Sequence, residues 1–103
     1  MLLIDKVKFK AMYEETKEMM TSPDYKERFK AEFIQLCYRI DRLEIMLNKY
    51  ALGKLEFTPT CPVTLLQSQL DCMREYKHCL MERIKIEKID IEWYLHHFST
   101  GVI

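Results

Sequence analysis

Apolar residues recur along the middle of the chain with the period of a helix that packs against another helix. They fall at Phe29, Phe33, Leu36, Ile40, Leu43, Leu47 and Tyr50, in alternating steps of four and three. That is an unbroken coiled-coil seam. A second stripe runs through Val63, Leu66, Leu70, Met73, Leu80 and Ile84. Its missing heptad position falls on Lys77, and the place is assigned to the apolar neighbour Tyr76. Ser22-Pro23, followed by Asp24 and Glu27, predicts where the first of these helices starts. Ser suits the N-cap, Pro the first helical position, and the acids the positive end of the dipole. Gly53 predicts its end, as the left-handed residue after Leu52. The helix between them would be roughly 43 Å long at 1.5 Å per residue. Lys54 to Thr60, with Pro59, makes a short turn, and Pro62 opens the next helix with Cys61 or Thr60 near its cap. A link this short makes the two helices antiparallel neighbours. The pattern therefore predicts a helical hairpin over residues 22–88.

Two further segments flank the hairpin. Phe9, Met12, Tyr13, Thr16, Met19 and Met20 recur at helical spacing, which predicts an N-terminal helix starting near Asp5 and stopping before Thr21. Its Met-rich stripe suits adaptable packing on the hairpin or on another subunit. At the other end Ile89, Ile91 and Trp93 alternate with Asp90 and Glu92, a half-buried extended pattern. The second hairpin helix is thus expected to stop near Glu87 or Lys88. Trp93, Tyr94, Leu95 and Phe98 form an aromatic cluster around His96 and His97, and the last residues read as a frayed end. The second hairpin helix also carries a second apolar stripe: Leu65, Cys72, Tyr76, Cys79 and Ile86. A helix with so wide an apolar arc faces two neighbours. One is its hairpin partner; the other is the N-terminal helix or the same helix of a second subunit.

The fold class expected is all-α: one domain over residues 1–103, comprising the hairpin, an N-terminal helix and a short extended tail. A chain of 103 residues buries a modest core, so homo-oligomerisation is expected. Sixteen basic residues balance sixteen acidic ones, which argues against a nucleic-acid polymer as partner. No apolar run approaches the ~20 residues that span a bilayer, and the opening MLLIDKVKF is too short and carries Asp5, unlike a signal peptide. A cytoplasmic protein with no membrane partner is expected. Cys37, Cys61, Cys72 and Cys79 then read as buried, unpaired thiols, since no CxxC or CxxxH spacing occurs and a zinc site needs four clustered ligands.

Catalytic chemistry has no foothold in the sequence. There is no glycine-rich phosphate loop and no GxSxG; the glycines are Gly53 and Gly101 alone. Asp24, Asp41, Asp71 and Asp90 are dispersed along helix surfaces. No cofactor, metal or catalytic residue is expected. Thr58, Thr60 and Thr64 surround a helix start, where capping is their ordinary role. The outward charges Lys26, Lys30, Glu32, Arg39, Asp41, Arg42, Glu44 and Lys49 read mostly as a solvated face.

At the hairpin the sequence resembles a family of small phage proteins first noted in crAss-like phages and common in phages of gut bacteria. The resemblance is carried by Tyr25-Lys26-Glu27-Arg28, Arg42-Leu43 and Leu47, then Phe57-x-Pro59-x-Cys61-Pro62. It continues through Leu65-Leu66-x-x-Gln69-x-x-x-Met73-x-x-Tyr76 and Leu80-x-x-Arg83-x-x-Ile86-Glu87. It covers about two-thirds of the chain. Members of that family often carry Gly where Lys88 stands and end soon after, so the aromatic tail is a departure. The hairpin also looks like that of phage proteins that sponge immune nucleotides: small cytosolic oligomers that trap cyclic di- or trinucleotides or cyclic ADP-ribose derivatives.

What the resemblance implies is an anti-defence protein, acting in the infected bacterial cytoplasm, that sequesters a nucleotide signal without cleaving it. Neither resemblance supplies a site. Position on the hairpin and chemistry select Arg39, Arg42 and Arg83 for phosphate, where bidentate Arg is best, and Gln69 and Tyr76 for a base or ribose. The ordinary role of each arginine is a solvent-exposed charge. The alternative function is a helical adaptor that binds a host or phage protein through the Leu65–Cys72–Tyr76–Cys79 face or the Trp93 tail.

Overall fold

The computed structural model describes residues 3–91, with side chains from residue 9 onward. Three helices and no strand occur among the described residues: α1 Leu3–Met19, α2 Tyr25–Ala51 and α3 Val63–Glu87. The expected all-helical architecture is present, and α2 and α3 form the hairpin. They run antiparallel, since Arg83 near the end of α3 stacks over Phe29 near the start of α2, at 4.6 Å from the ring centroid. Further along, Arg74 of α3 pairs with Glu44 of α2.

Helix boundaries follow local chemistry, with one shift at the start of α2. Asp24 is the N-cap, accepting a hydrogen bond from the Lys26 backbone N–H at 3.0 Å. Ser22, expected in that role, instead accepts from the Asp24 N–H at 3.1 Å. The carboxylate wins because it adds charge at the positive helix end to the same hydrogen bond. The other end is as expected. Gly53 has φ +70, its N–H donates to the Tyr50 carbonyl, and the Lys54 N–H donates to the Lys49 carbonyl at 2.8 Å. This pair of bonds is the Schellman closure. At α3 the N-cap is Pro62, with no side-chain cap bond, so the threonines near that start do not cap it.

Helix α3 ends where expected, but on a residue poorly suited to the role. Lys88 sits at φ 54, ψ 51 in the left-handed region, where a side chain costs about 1–2 kcal/mol. Replacing Lys88 with glycine is expected to raise stability by about 1 kcal/mol after the extra freedom of glycine in the unfolded chain is counted. A shift of the urea midpoint to higher concentration checks it; a shift downward would show that the lysine side chain contributes more than its backbone conformation costs.

The core sits on both sides of α2. Phe29, Phe33, Leu36, Ile40 and Leu47 of the predicted seam are buried, Leu43 is half-buried and Tyr50 is exposed. Ala31, Ile34 and Cys37 are buried as well. α1 packs on α2, where Gln35 meets Thr16 and Tyr38 meets Phe9, and brings Met12 and Thr16 into the interior. Of the two neighbours expected for the second stripe of α3, the N-terminal helix packs on α2 instead, so the central helix of the chain is α2. Leu65, Cys72, Tyr76, Cys79 and Ile86 are all exposed. The second heptad position of α3 is also corrected. Lys77 itself fills the seam, only 9% exposed, while Tyr76 is 44% exposed. A step of one residue turns a helix by about 100°, so Tyr76 cannot reach the seam, whereas the aliphatic stem of a lysine can line it.

The cysteine reading holds for one residue of four. Cys37 is buried, and Cys61, Cys72 and Cys79 are exposed; none is in a disulfide. Among the described residues no His, Cys, Asp and Glu cluster could hold a metal ion, and no helix is long and apolar enough to cross a membrane. Ile89 is buried and Ile91 half-buried, without regular structure. The aromatic tail from Trp93 onward lies outside the described residues.

Candidate ligand groove

Where α1 lies across α2, the two helices and the first half of α3 leave a groove of about 690 Å³. A drug-sized ligand fits pockets of roughly 300–1,000 Å³. One wall is aromatic. Phe9 of α1 and Tyr38 of α2 hold their ring centroids 5.4 Å apart at 53°, a tilted pairing that suits their quadrupoles. Tyr13, one helical turn after Phe9, lines the same wall, and Lys17 stands over its ring at 5.7 Å. The opposite side carries the polar groups: Arg39 and Arg42 from α2 and Gln69 from α3. Arg39 is exposed and makes no salt bridge to a described residue.

A second recess of about 390 Å³ continues from the first, sharing Met20, Gln35 and Arg39. It is completed by Arg28, Glu32, Leu36 and Tyr76. Its junction is held by hydrogen bonds. The Gln35 amide donates to Thr16 Oγ1 at 3.1 Å and lies 3.1 Å from Met20 Sδ. Thr16 is fully buried and donates to the Met12 carbonyl at 2.8 Å. Thr16 in turn ties the α1 backbone to α2 through Gln35, which sets the width of the junction.

Four of the five residues selected from the sequence therefore line these two recesses. Arg39, Arg42 and Gln69 border the larger, and Arg39 and Tyr76 the smaller. Gln69 is exposed rather than a buried amide; its nearest polar partner is Met73 Sδ at 3.8 Å. Arg83 stands apart. It lies 14 residues along α3 from Gln69, about 21 Å at 1.5 Å per residue. There it is bound to Glu87 at 2.6 Å and stacked on Phe29. The selection missed Phe9, Tyr13, Tyr38 and Gln35. Phe9 and Tyr13 stand four apart on the N-terminal stripe, and that spacing was the signal; without the direction of α1 it read as core.

The Arg83 cluster is a structural device. Glu87 accepts from Arg83 and from the phenol of Tyr25, so its carboxyl is held below the ordinary 4.5, chiefly by the Arg83 hydrogen bond. A carboxyl depressed in this way adds stability above its unfolded value, and that contribution is lost as pH falls through the folded one. A carbon-detected NMR titration of the Glu87 side chain is expected to give a midpoint below 4.5, and Arg83→Ala to move it upward. A midpoint above 4.5 in the intact protein would refute the pairing.

The family whose model matches this chain is Sequestin, over residues 23–86, which is more than half of it. Comparison with curated proteins and with solved structures returned no match.

Proposed function

The chain belongs to the Sequestin family, and from that premise we propose that it binds and sequesters a nucleotide signal without cleaving it. The family description speaks for sequestration; the nucleotide is our reading of the groove. The observation that carries it is the meeting, in one groove of about 690 Å³, of Arg39 and Arg42 with Phe9, Tyr13 and Tyr38. A phosphate needs a fixed cation that can donate two hydrogen bonds, and a base needs a flat neighbour. Holding requires nothing more than these groups and closure from water. On this reading the ligand is of cyclic oligonucleotide or cyclic ADP-ribose type. Its phosphates lie against Arg39, its bases lie along the aromatic wall, and Gln69 and Tyr76 supply hydrogen bonds at the edges. The protein would then act as a phage anti-defence factor in the cytoplasm of the infected bacterium, as a homo-oligomer.

The exposed α3 face is the observation behind the second reading, an adaptor that blocks another protein. One experiment separates the two. Purified protein is screened against cyclic dinucleotides, cyclic trinucleotides and ADP-ribose derivatives by thermal shift. A ligand at 100 times its dissociation constant adds about 2.7 kcal/mol, a shift of several degrees for a domain of this size. The bound nucleotide is expected back chemically unchanged after heat denaturation. Recovery of a cleaved product would make the protein an enzyme, and a flat screen would turn the reading to the adaptor.

A further inference from the structure

The closed end of the hairpin carries a recess of its own, about 340 Å³ in volume. That lies at the small end of the roughly 300–1,000 Å³ that ligand pockets occupy. One side of it is a single face of α2, formed by Arg42, Ile45, Met46 and Lys49. Steps of three, one and three stack these four over two helical turns, about 10 Å. The other side is the start of the connecting loop, Lys54 to Phe57. The Schellman closure at Gly53 brings it there. The Lys54 N–H donates to the Lys49 carbonyl at 2.8 Å, so the chain reverses at once and both lysines line one opening.

Charge and apolar surface are divided within the recess. Lys49, Lys54 and Glu56 are exposed, and none of the three makes a salt bridge to a described residue. Glu56 lines the same recess as both lysines without pairing with either, so the chain leaves their charge unneutralised. Beneath this rim Ile45, Met46 and Leu55 are half-buried, and Phe57 stands 58% exposed. The dipole of α2 accounts for a lysine in its last turn. It does not account for Lys54, which lies beyond the closure, or for a large aromatic ring left in water beside it.

We infer that the hairpin tip is a binding site for a small organic anion with an apolar body, of the aryl- or acyl-phosphate class. The anionic head lies between Lys49 and Lys54, with Arg42 behind them, and the body covers Phe57, Leu55 and Ile45. Ammonium groups are point charges that meet a phosphate without the planar fit an arginine demands. Covering the exposed ring and its aliphatic neighbours supplies the apolar part of the affinity. The inference does not rest on the nucleotide reading. The tip shares Arg42 and Met46 with the larger groove, and everything else it uses lies outside that groove.

Naphthyl phosphate is the probe, with inorganic phosphate and naphthol as its two halves. In an amide NMR titration of the intact chain, naphthyl phosphate is expected to move the signals of Lys49 to Phe57 and to bind more tightly than either half. The double variant Lys49→Gln, Lys54→Gln should weaken it at least about tenfold, the scale of a charge-assisted hydrogen bond lost. Phe57→Ala should weaken it roughly threefold to tenfold. Glu56→Gln should tighten it about two- to fivefold, the scale of one exposed charge. All four positions are exposed, so the variants should keep their helicity by circular dichroism. Lys85→Gln, which removes a positive charge from the far end of α3, should change nothing. No binding at millimolar probe, or shifts confined to the neighbourhood of Phe9 and Tyr38, would overturn the site. So would equal affinity for inorganic phosphate, which would leave the apolar wall without a part, or for naphthol, which would leave the lysines without one. Vesicles of phosphatidylcholine with phosphatidic acid are not expected to carry the protein down, because the recess holds a short body. Co-sedimentation that the double lysine variant abolishes would make the anion a lipid headgroup and reject the small ligand.

Discussion

Phe33→Ala is expected to cost about 3–5 kcal/mol, enough to take most of the stability of so small a domain, where the total is on the order of 5–15 kcal/mol. Phe33 is fully buried and, with Ile34 and Cys37, belongs to the most enclosed part of the core. It belongs to the α2 seam and to the core cluster that also holds Met12 of α1 and Leu70 and Leu80 of α3. Truncation leaves a cavity that two rigid helices cannot close, so the loss combines transfer and cavity terms. Urea unfolding followed by circular dichroism should show a large fall in midpoint, or no cooperative transition at all. The comparison is Phe57→Ala in the hairpin loop, at a residue 58% exposed, which should change stability by no more than about 0.5 kcal/mol. Equal effects at the two positions would mean that the core is not centred on α2.

The second large effect concerns binding, and it rests on the proposed nucleotide reading. Arg39→Ala should reduce affinity for the nucleotide that scores in the thermal screen by about 2–5 kcal/mol, the cost of removing one partner from a desolvated charge pair. Arg39 is the arginine shared by both recesses, so its loss removes a cation from each of them at once. Arg39→Lys should recover part of the loss, as a point charge without the fork. Arg83→Ala should leave affinity unchanged, because its guanidinium serves Glu87 and Phe29 at the far end of α3. Isothermal titration decides among these. Full affinity in Arg39→Ala, or its loss in Arg83→Ala, would place the ligand elsewhere.

How much of this was legible beforehand differs from residue to residue. The steps of four and three from Phe29 to Leu47, the glycine at position 53 and the apolar positions of α3 are statements about neighbours along one helix. Helical period and the steric freedom of glycine are local, so sequence alone carries them. Asp24 against Ser22 was a choice between two good caps two residues apart, and only the path of the entering chain selects one. Arg39, Arg42, Gln69 and Tyr76 were chosen for their chemistry, and they border the two recesses because the packing of α2 against α3 and α1 leaves grooves at those positions. Arg83 satisfied the same chemical test and lies elsewhere, since a type of side chain does not state its distance from another.

The sequence by itself determined that the chain makes three helices and that two of them form a hairpin, because periodicity and turn chemistry act over a few residues. Only the tertiary structure decided which helix is central. The apolar residues of α2 beyond its seam, Ala31, Ile34 and Cys37, and those of α3, Leu65, Cys72 and Cys79, were both candidates to receive α1. Burial is a property of a pair of surfaces, so a single stripe cannot announce its partner. In the fold the first set is buried and the second exposed, and α1 packs on α2. The same docking turned Phe9 and Tyr13 from core candidates into a wall of the groove beside Arg39.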